Sequence, residues 1–429
     1  MSVPTLIDCR GNALSGATPA ALPHHERAAA AFLHWRDGAE SHAAAALALA
    51  PAFTMTHVLL AWQQVNGRDP ARVRAARPHV ARAAALPANE RERLHIAALQ
   101  AAIDDDFVRM QARLDELLQL APRDALALQM AHAFDHLAGD EAALLRRVEA
   151  VLPAWSRELP GHAAVLAMRA FALGEHGEHA RAEQVAQEAL AIDPLEPRAH
   201  HVMAHVFEMA RRPEAGIRWL DEHAAAWASG SAVSRHIWWH MALYELARDN
   251  AEAALAIYDE HIRADHSGAI GDLIDAAALL WRLKLRGATH RRRFAELAHA
   301  WAPHIDDAYC SFSDIHAMLA FVGAGQHRLA QALETRLQHE ATHSHRRHGA
   351  TTLAVGAPAV RALAAFGRGE VALAAQLLGQ LPPQAHRIGG SQAQRDVLQL
   401  THARALQRSV EAQAVSAWAW PRGAGAAYG

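Results

Sequence analysis

Cysteine is scarce. Cys9 and Cys310 are the two in 429 residues, which leaves no disulfide framework and no thiolate metal cluster. A reducing, cytoplasmic setting follows as the expectation. Lysine is almost missing as well: Lys284 is the only one, so the basic charge is carried by arginine. The net charge of −3 argues against non-specific binding to nucleic acid or to an anionic membrane. No uninterrupted apolar stretch reaches the length of a membrane span. The opening MSVPTLIDCRGNAL lacks a basic region followed by an apolar run, so no signal peptide is expected. There is no run of alternating β-branched residues to make a strand. Neither a phosphate-cradling G-x-x-x-x-G-K, nor a dinucleotide fingerprint after a strand, nor a G-x-S-x-G elbow occurs.

What remains is helix. The chain is 52% hydrophobic and rich in alanine, the residue for close helix–helix approach. Prolines that follow amphipathic segments mark a period: Pro51, Pro87 and Pro122 are 36 and 35 residues apart, and Pro194 follows after two more such lengths. A period near 34 residues, helix–turn–helix closed by proline, is the tetratricopeptide pattern. Proline ends one helix and fits the first turn of the next. The clearest unit runs from His162 to Pro194. The fold expected is all-α: a tetratricopeptide-like α-solenoid of antiparallel helix pairs curved around a concave pocket. Residues 1–23 form an extended N-terminal segment, 24–420 the single solenoid, and 421–429 a disordered tail. Helices are placed at, among others, 105–120, 197–210, 213–227, 235–247, 250–262, 312–324 and 392–407. Residues 341–350 read as a polar linker.

The 31 histidines are the anomaly of the composition. Four pairs sit one helical turn apart: His132/His136, His201/His205, His236/His240 and His339/His343. Chance alone places about two such pairs in a chain of this histidine content. Such a pair lies on one helical face, and both imidazoles can reach one ion. Glu208 extends the His201/His205 face by a turn, and the stretch FSDIHAM adds Asp314 and His316. In the repeat phasing the helices of His132/His136, His201/His205, His236/His240 and His316 are all first helices, the ones that line a concave surface. Three His-bearing helices and two carboxylates on one wall could hold a divalent ion on His201, His205, His236 and His240. They could equally form a general acid–base network, and each pair could be plain core histidine. Trp238 and Trp239 point to different faces, one into the core and one available to stack on a ligand. HEATH, from His339 to His343, matches the zinc-protease HExxH helix but lies at the end of a helix beside the linker. RIGGSQAQRDV suggests a turn at Gly389–Gly390 and an N-cap at Ser391, with Gln394, Arg395 and Asp396 in the first turns. That helix start beside Arg395 suits an anion, or is simply a capped helix tied down by its own charges. Cys310 reads as a buried thiol rather than a nucleophile.

Together the motifs resemble the tetratricopeptide repeat protein 38 family. HxxAHxxEM from His201 to Met209 is similar to the family pattern. So are His236, Trp239, His240, Ala242 and Tyr244, and FSDIHAM, where the family has Asn in place of Ser313. GGSQAQRD, DCRGNALS and NERERLHIAAL add to the likeness, which spans nearly the whole chain. The resemblance implies a compact, degenerate solenoid and carries no settled biochemical activity. It singles out His201, His205, Glu208, His236, His240, Asp314, His316 and the 389–396 loop, and passes over HEATH.

Two functions stay open. In one, the chain is a binding or scaffold protein holding a small molecule or peptide in its groove, with Trp239, Tyr244, Ser391, Gln394, Arg395 and Asp396 as ligand contacts. In the other, the His/Glu/Asp cluster is an enzyme site for acid–base or metal-assisted chemistry on a small substrate. No cofactor is specified beyond the option of a divalent metal. Neither nucleic acid nor membrane is expected as a partner, and homodimerisation is left open.

Overall fold

The computed structural model describes residues 6–341 and 349–418. The proposed disordered tail and most of the 341–350 linker lie outside them. The N-terminal segment is extended but not strandless. β1 (Leu6–Ile7) pairs antiparallel with β2 (Ala13–Leu14). Asp8 Oδ1 closes the turn by accepting from the backbone N–H of Arg10 at 2.9 Å and of Asn12 at 2.7 Å. Two-residue strands are too short to show as alternation, which is why the sequence pattern missed them.

Helices follow in antiparallel pairs. They are α1 (Leu22–Leu33) with α2 (Ala39–Leu49), α3 (Thr54–Val65) with α4 (Pro70–Ala84), and α5 (Glu90–Ile103) with α6 (Phe107–Leu120). Next come α7 (Ala125–Ala138) with α8 (Glu141–Val151), α9 (His162–Glu175) with α10 (His179–Ile192), and α11 (Pro197–Met209) with α12 (Pro213–Glu222). After the short α13 (Ala224–Trp227), α14 (Ser234–Ala247) packs with α15 (Ala251–Ile257), α16 (Ile270–Leu285) with α17 (Arg291–Trp301), and α18 (Ser311–Ala324) with α19 (His327–Ala341). α20 (Gly349–Thr351) passes through a π turn into α21 (Ala357–Arg368), which pairs with α22 (Val371–Gly379), and α23 (Gln392–Trp418) closes the array. The chain is a tetratricopeptide-like α-solenoid. Three helices differ from expectation: 213–227 breaks at His223, 250–262 ends in a π turn over Tyr258–Ile262, and 392–407 continues to Trp418.

The proline period marks the repeat boundaries. Pro51, Pro87, Pro122 and Pro194 each fall between one pair and the next, just before a first helix. Local chemistry fixes these starts. Asn89 and Glu92 form a reciprocal capping box at α5, and Asp124 caps α7 through the N–H of Ala127 at 2.9 Å. Within a pair, alanine sets the approach: Ala182, Ala186 and Ala189 form one face of α10 and are fully buried against α9. First and second helices divide the labour. α3, α16 and α18 are buried along almost every residue, whereas α4, α10 and α12 bury one stripe and expose the rest. Trp62, Trp239 and Trp281 are fully buried on inner helices; a large apolar side chain so placed stabilises by roughly 1.5–3 kcal/mol.

The superhelix closes on itself. The turn Pro383–Ile388 packs on α7, and α23 packs on α11 and α16. The contact is backbone to backbone: a Cβ on Gly389 (φ +85°) would sit 2.2 Å from the Leu137 carbonyl oxygen, and one on Gly139 (φ +61°) would sit 2.2 Å from that of His386. On the other side, Arg10 Nε donates to the Pro160 carbonyl at 3.0 Å and Arg198 Nε to that of Leu33 at 2.6 Å. One helical run, Gly349–Arg368, is long and apolar enough to cross a membrane by length and composition. It is not an uninterrupted apolar stretch, because Pro358 and Arg361 interrupt the run. Within the protein, 56% of its most apolar window is buried.

Candidate functional site

α11 presents His201, His205 and Glu208 at successive turns of one face, and α14 presents His236 and His240 opposite. The four imidazoles meet. Their donor atoms all lie within 4.8 Å of one another. His201 Nε2 and His205 Nε2 are 3.0 Å apart, and the His205 and His240 rings are centred 4.4 Å apart. Tetrahedral zinc, with Zn–N near 2.0–2.1 Å, needs nitrogens roughly 3.3 Å apart, so small side-chain rotations would suffice.

The outward nitrogens of His236 and His240 are committed. His240 Nδ1 donates to Glu208 Oε2 at 2.9 Å, and His236 Nδ1 to Asp275 Oδ2 at 2.8 Å. Asp275 Oδ1 in turn accepts from Gln394 Nε2 at 3.2 Å. Carboxylates on Nδ1 fix the tautomer and leave Nε2 with a lone pair facing inward. His240 Nε2 is buried with no hydrogen-bond partner among the described residues. A buried ring nitrogen without a partner is uncommon and asks for one. The donor set is chemically suited to zinc, copper, nickel or iron, which favour imidazole.

Burial governs the electrostatics. It holds His201, His205 and His240 well below the ordinary histidine range, and the neighbouring imidazoles add to the effect. These rings are therefore neutral at pH 7, the state that ligates metal. Burial pushes Glu208 the other way, up to about 7, against the pull of Arg282. Glu208 therefore titrates near neutrality, while His240 stays neutral and keeps its Nδ1–H toward it. Arg282 is itself buried. It lies 5.3 Å over the Trp239 ring and donates to the Ala278 carbonyl at 3.2 Å and to that of Ala393.

The other residues singled out by sequence are placed elsewhere. Asp314 pairs with Arg336, and His316 Nδ1 donates to the Phe312 carbonyl at 2.8 Å, so neither belongs to the donor set. Trp239 stacks on His236, 5.3 Å between centres and 12° from parallel, and is fully buried, a support for that ring rather than a ligand face. Tyr244 donates from its hydroxyl to the Ala204 carbonyl at 2.6 Å and packs against Gly216. Ser391 and Gln394 cap α23 reciprocally at 3.1 and 3.3 Å. Arg395 is not free for an anion: Glu141 lies 3.0 Å and Glu175 3.5 Å from its Nη2. Its ion-pair partners are these two and not the adjacent Asp396, which Arg282 pulls down more strongly than Arg395 does. Cys310 is buried, its Sγ 3.3 Å from Ser313 Oγ. His132 and His136 flank Phe171 beside the cluster. Of HEATH, His339 and Glu340 fall at the end of α19 and His343 lies outside the described residues. A second group, His34 with Asp193 and Glu196, also gathers three donors. Glu196 is already used there, taking His34 on one oxygen and the Arg198 N–H on the other at 3.1 Å.

Asp275 was missed by sequence. A signal existed: His205, His240 and Asp275 recur at intervals of 35 residues, one repeat length, and so occupy one register on consecutive inner helices.

No protein-family model matches the chain. Among solved structures, yeast Tom70 is 9% identical with a TM-score of 0.46, covering 92% of this chain and 90% of that one. The Naa15/Naa10 complex bound to HypK-THB is 14% identical at TM-score 0.31, covering 92% of this chain and 64% of that one. The TPR domain of P58(IPK) is 15% identical at TM-score 0.21, covering 83% of this chain and 99% of that one. At these scores the likeness carries no weight, and the architecture is read from this chain's own helix pairs.

Proposed function

We propose that this chain is a tetratricopeptide-like binding protein that holds a divalent transition-metal ion on His201, His205, His236 and His240. One observation carries the reading: four imidazole donors converge within 4.8 Å, two of them oriented by carboxylates, the buried Asp275 and the half-buried Glu208. Helix pairs stacked in an array ordinarily serve as a binding surface. Here the array closes, and an enclosed interior suits a small molecule better than an extended peptide. The ion would act as an anchor or as a Lewis acid toward that molecule. Membership of the tetratricopeptide repeat protein 38 family belongs to the same proposal. It is supported by the way the motif on α11 meets that on α14 through Glu208 and His240, and the α14 motif meets the GGSQAQRD start of α23 through Asp275.

An enzymatic reading has one observation in its favour, the carboxyl group of Glu208, raised to about 7 beside the cluster. Against hydrolysis, four protein donors fill a tetrahedral shell, whereas hydrolytic zinc keeps a position open. The binding reading is therefore preferred, and a reducing compartment belongs to the same proposal, supported by two unpaired cysteines.

The test is elemental analysis of the purified chain after dialysis against zinc. About one ion per chain is expected, lost in the His201→Ala/His240→Ala variant while its helical circular dichroism is retained. A wild-type chain that takes up no more metal than the double variant would overturn the reading.

A further inference from the structure

We infer that the chamber beside His201 is a receptor site for a small organic anion built on a single aromatic ring. The inference rests on the binding reading of the chain but not on its metal. The chamber borders the cluster at His201, which lines it while His205, His236 and His240 do not, with Phe171 stacked on His201 at 5.8 Å and 20°. Its volume is about 230 Å³. A cavity of about 150 Å³ takes benzene, and drug-sized ligands fill roughly 300–1,000 Å³. One ring with one or two polar substituents is the size that fits.

Charge decides the class. Arg68 and Arg198 both line the chamber, and no carboxylate does among the described residues. Neither arginine makes an ion pair among the described residues. Arg198 sits at the floor, 5% exposed, its guanidinium 3.8 Å over the Trp35 ring and its Nη2 without a hydrogen-bond partner. Burial lowers it to about 9, a desolvation cost that a bound anion would offset. Arg68 is half-buried at the rim beside exposed Asn66, where the chamber reaches solvent. Trp35 and Phe171 offer aromatic walls, and His132 Nδ1, buried without a partner, can meet a hydroxyl on the ring. A planar carboxylate matches a guanidinium fork, and a flat ring matches the walls.

The test is calorimetric titration of 4-hydroxybenzoate and its neutral isostere 4-hydroxybenzamide into the full chain, chelator-treated and zinc-loaded. Arg68 is half-exposed and held at φ +54°, a conformation asparagine tolerates, so Arg68→Asn removes the charge at the small cost of its 5.4 Å contact with the Phe312 ring, and retained helical circular dichroism checks the fold. The acid should bind wild type in both metal states, with the amide about tenfold weaker. Arg68→Asn should weaken the acid about tenfold and leave the amide unchanged. Equal binding of acid and amide, no binding of either, or an unaltered acid affinity in Arg68→Asn each overturns the inference. Acid binding that requires zinc and survives Arg68→Asn puts the anion on the metal, which also overturns it. The chelator-treated arm keeps a failure of the metal reading separate from a failure of this one.

Discussion

His240 Nδ1 stands 2.9 Å from Oε2 of Glu208, a residue supplied by the inner helix of the preceding repeat. The bond crosses the α11–α14 junction and turns His240 Nε2 toward the other three imidazoles. Asp275 does the same for His236 from the following repeat. Three consecutive inner helices thus set the geometry of one cluster.

Glu208→Gln keeps a hydrogen-bond acceptor but loses the charge that raises imidazole basicity. Zinc affinity, read by competition with a chromogenic chelator, should fall at least about tenfold with the fold intact. Asp314→Asn is the contrast. It breaks a buried ion pair with Arg336 and lowers stability, yet it should leave zinc affinity unchanged. An equal loss of affinity in both would remove the distinction between the two carboxylates.

Gln394→Ala should cost about 1–2 kcal/mol in urea unfolding, since it loses half of the α23 capping box. It also frees Asp275 from its 3.2 Å contact, so zinc affinity should drop modestly. Ser391→Ala removes the cap alone and should show the stability loss without the affinity loss.

Gly389→Ala tests closure of the superhelix. The new Cβ would meet the Leu137 carbonyl at 2.2 Å, at a φ of +85°. Backbone overlap and left-handed strain together should cost about 3 kcal/mol. Gly177→Ala is the control: φ is also positive at +84°, but nothing lies within 4 Å, so only the strain of about 1–2 kcal/mol remains. Thermal midpoints that fall equally for both would mean the α7 contact contributes nothing.

Acid should unfold the protein through its buried histidines. Burial, with help from Arg91 and Arg10, lowers His25 to about 3, and burial lowers His132 to about 3 as well. With folded values below the unfolded 6.5, the unfolded chain binds more protons on acidification. Their contribution is full above about pH 6.5 and is lost as pH falls toward 3. Burial raises Glu175 and Asp135 to about 7. Those groups act in the opposite sense: their contribution is full below about 4.5 for Glu175 and 3.8 for Asp135, and is lost as pH rises toward 7. Among the described residues the His25 side chain hydrogen-bonds Thr56 Oγ1, at 3.0 Å, and it is not one of the clustered imidazoles, so it isolates one group. His25→Gln should flatten the slope of unfolding free energy between pH 6.5 and 3 by up to about 1.4 kcal/mol per pH unit. An unchanged slope would show that His25 already titrates normally in the fold.

Much of the fold was legible because it is local. The proline period, the alanine faces and the caps act within one repeat, so the helix pairs, their order and the inner position of α11, α14 and α18 follow from the sequence. Helix ends that depend on neighbours were less legible: the break at His223 and the continuation of α23 to Trp418 answer to packing across repeats.

The sequence by itself determined the phase. It put His201, His205, Glu208, His236 and His240 on inner walls, since one turn of helix and one repeat length are fixed distances along the chain. Only the tertiary structure decided which of those groups meet. The superhelical curvature brings α11, α14 and α16 to one point, recruits Asp275 and Gln394, and sends Asp314 and His316 to other partners. Curvature is the sum of small rotations at every helix-pair interface. No single repeat encodes it, so a residue's phase can be read from the chain while its partners cannot.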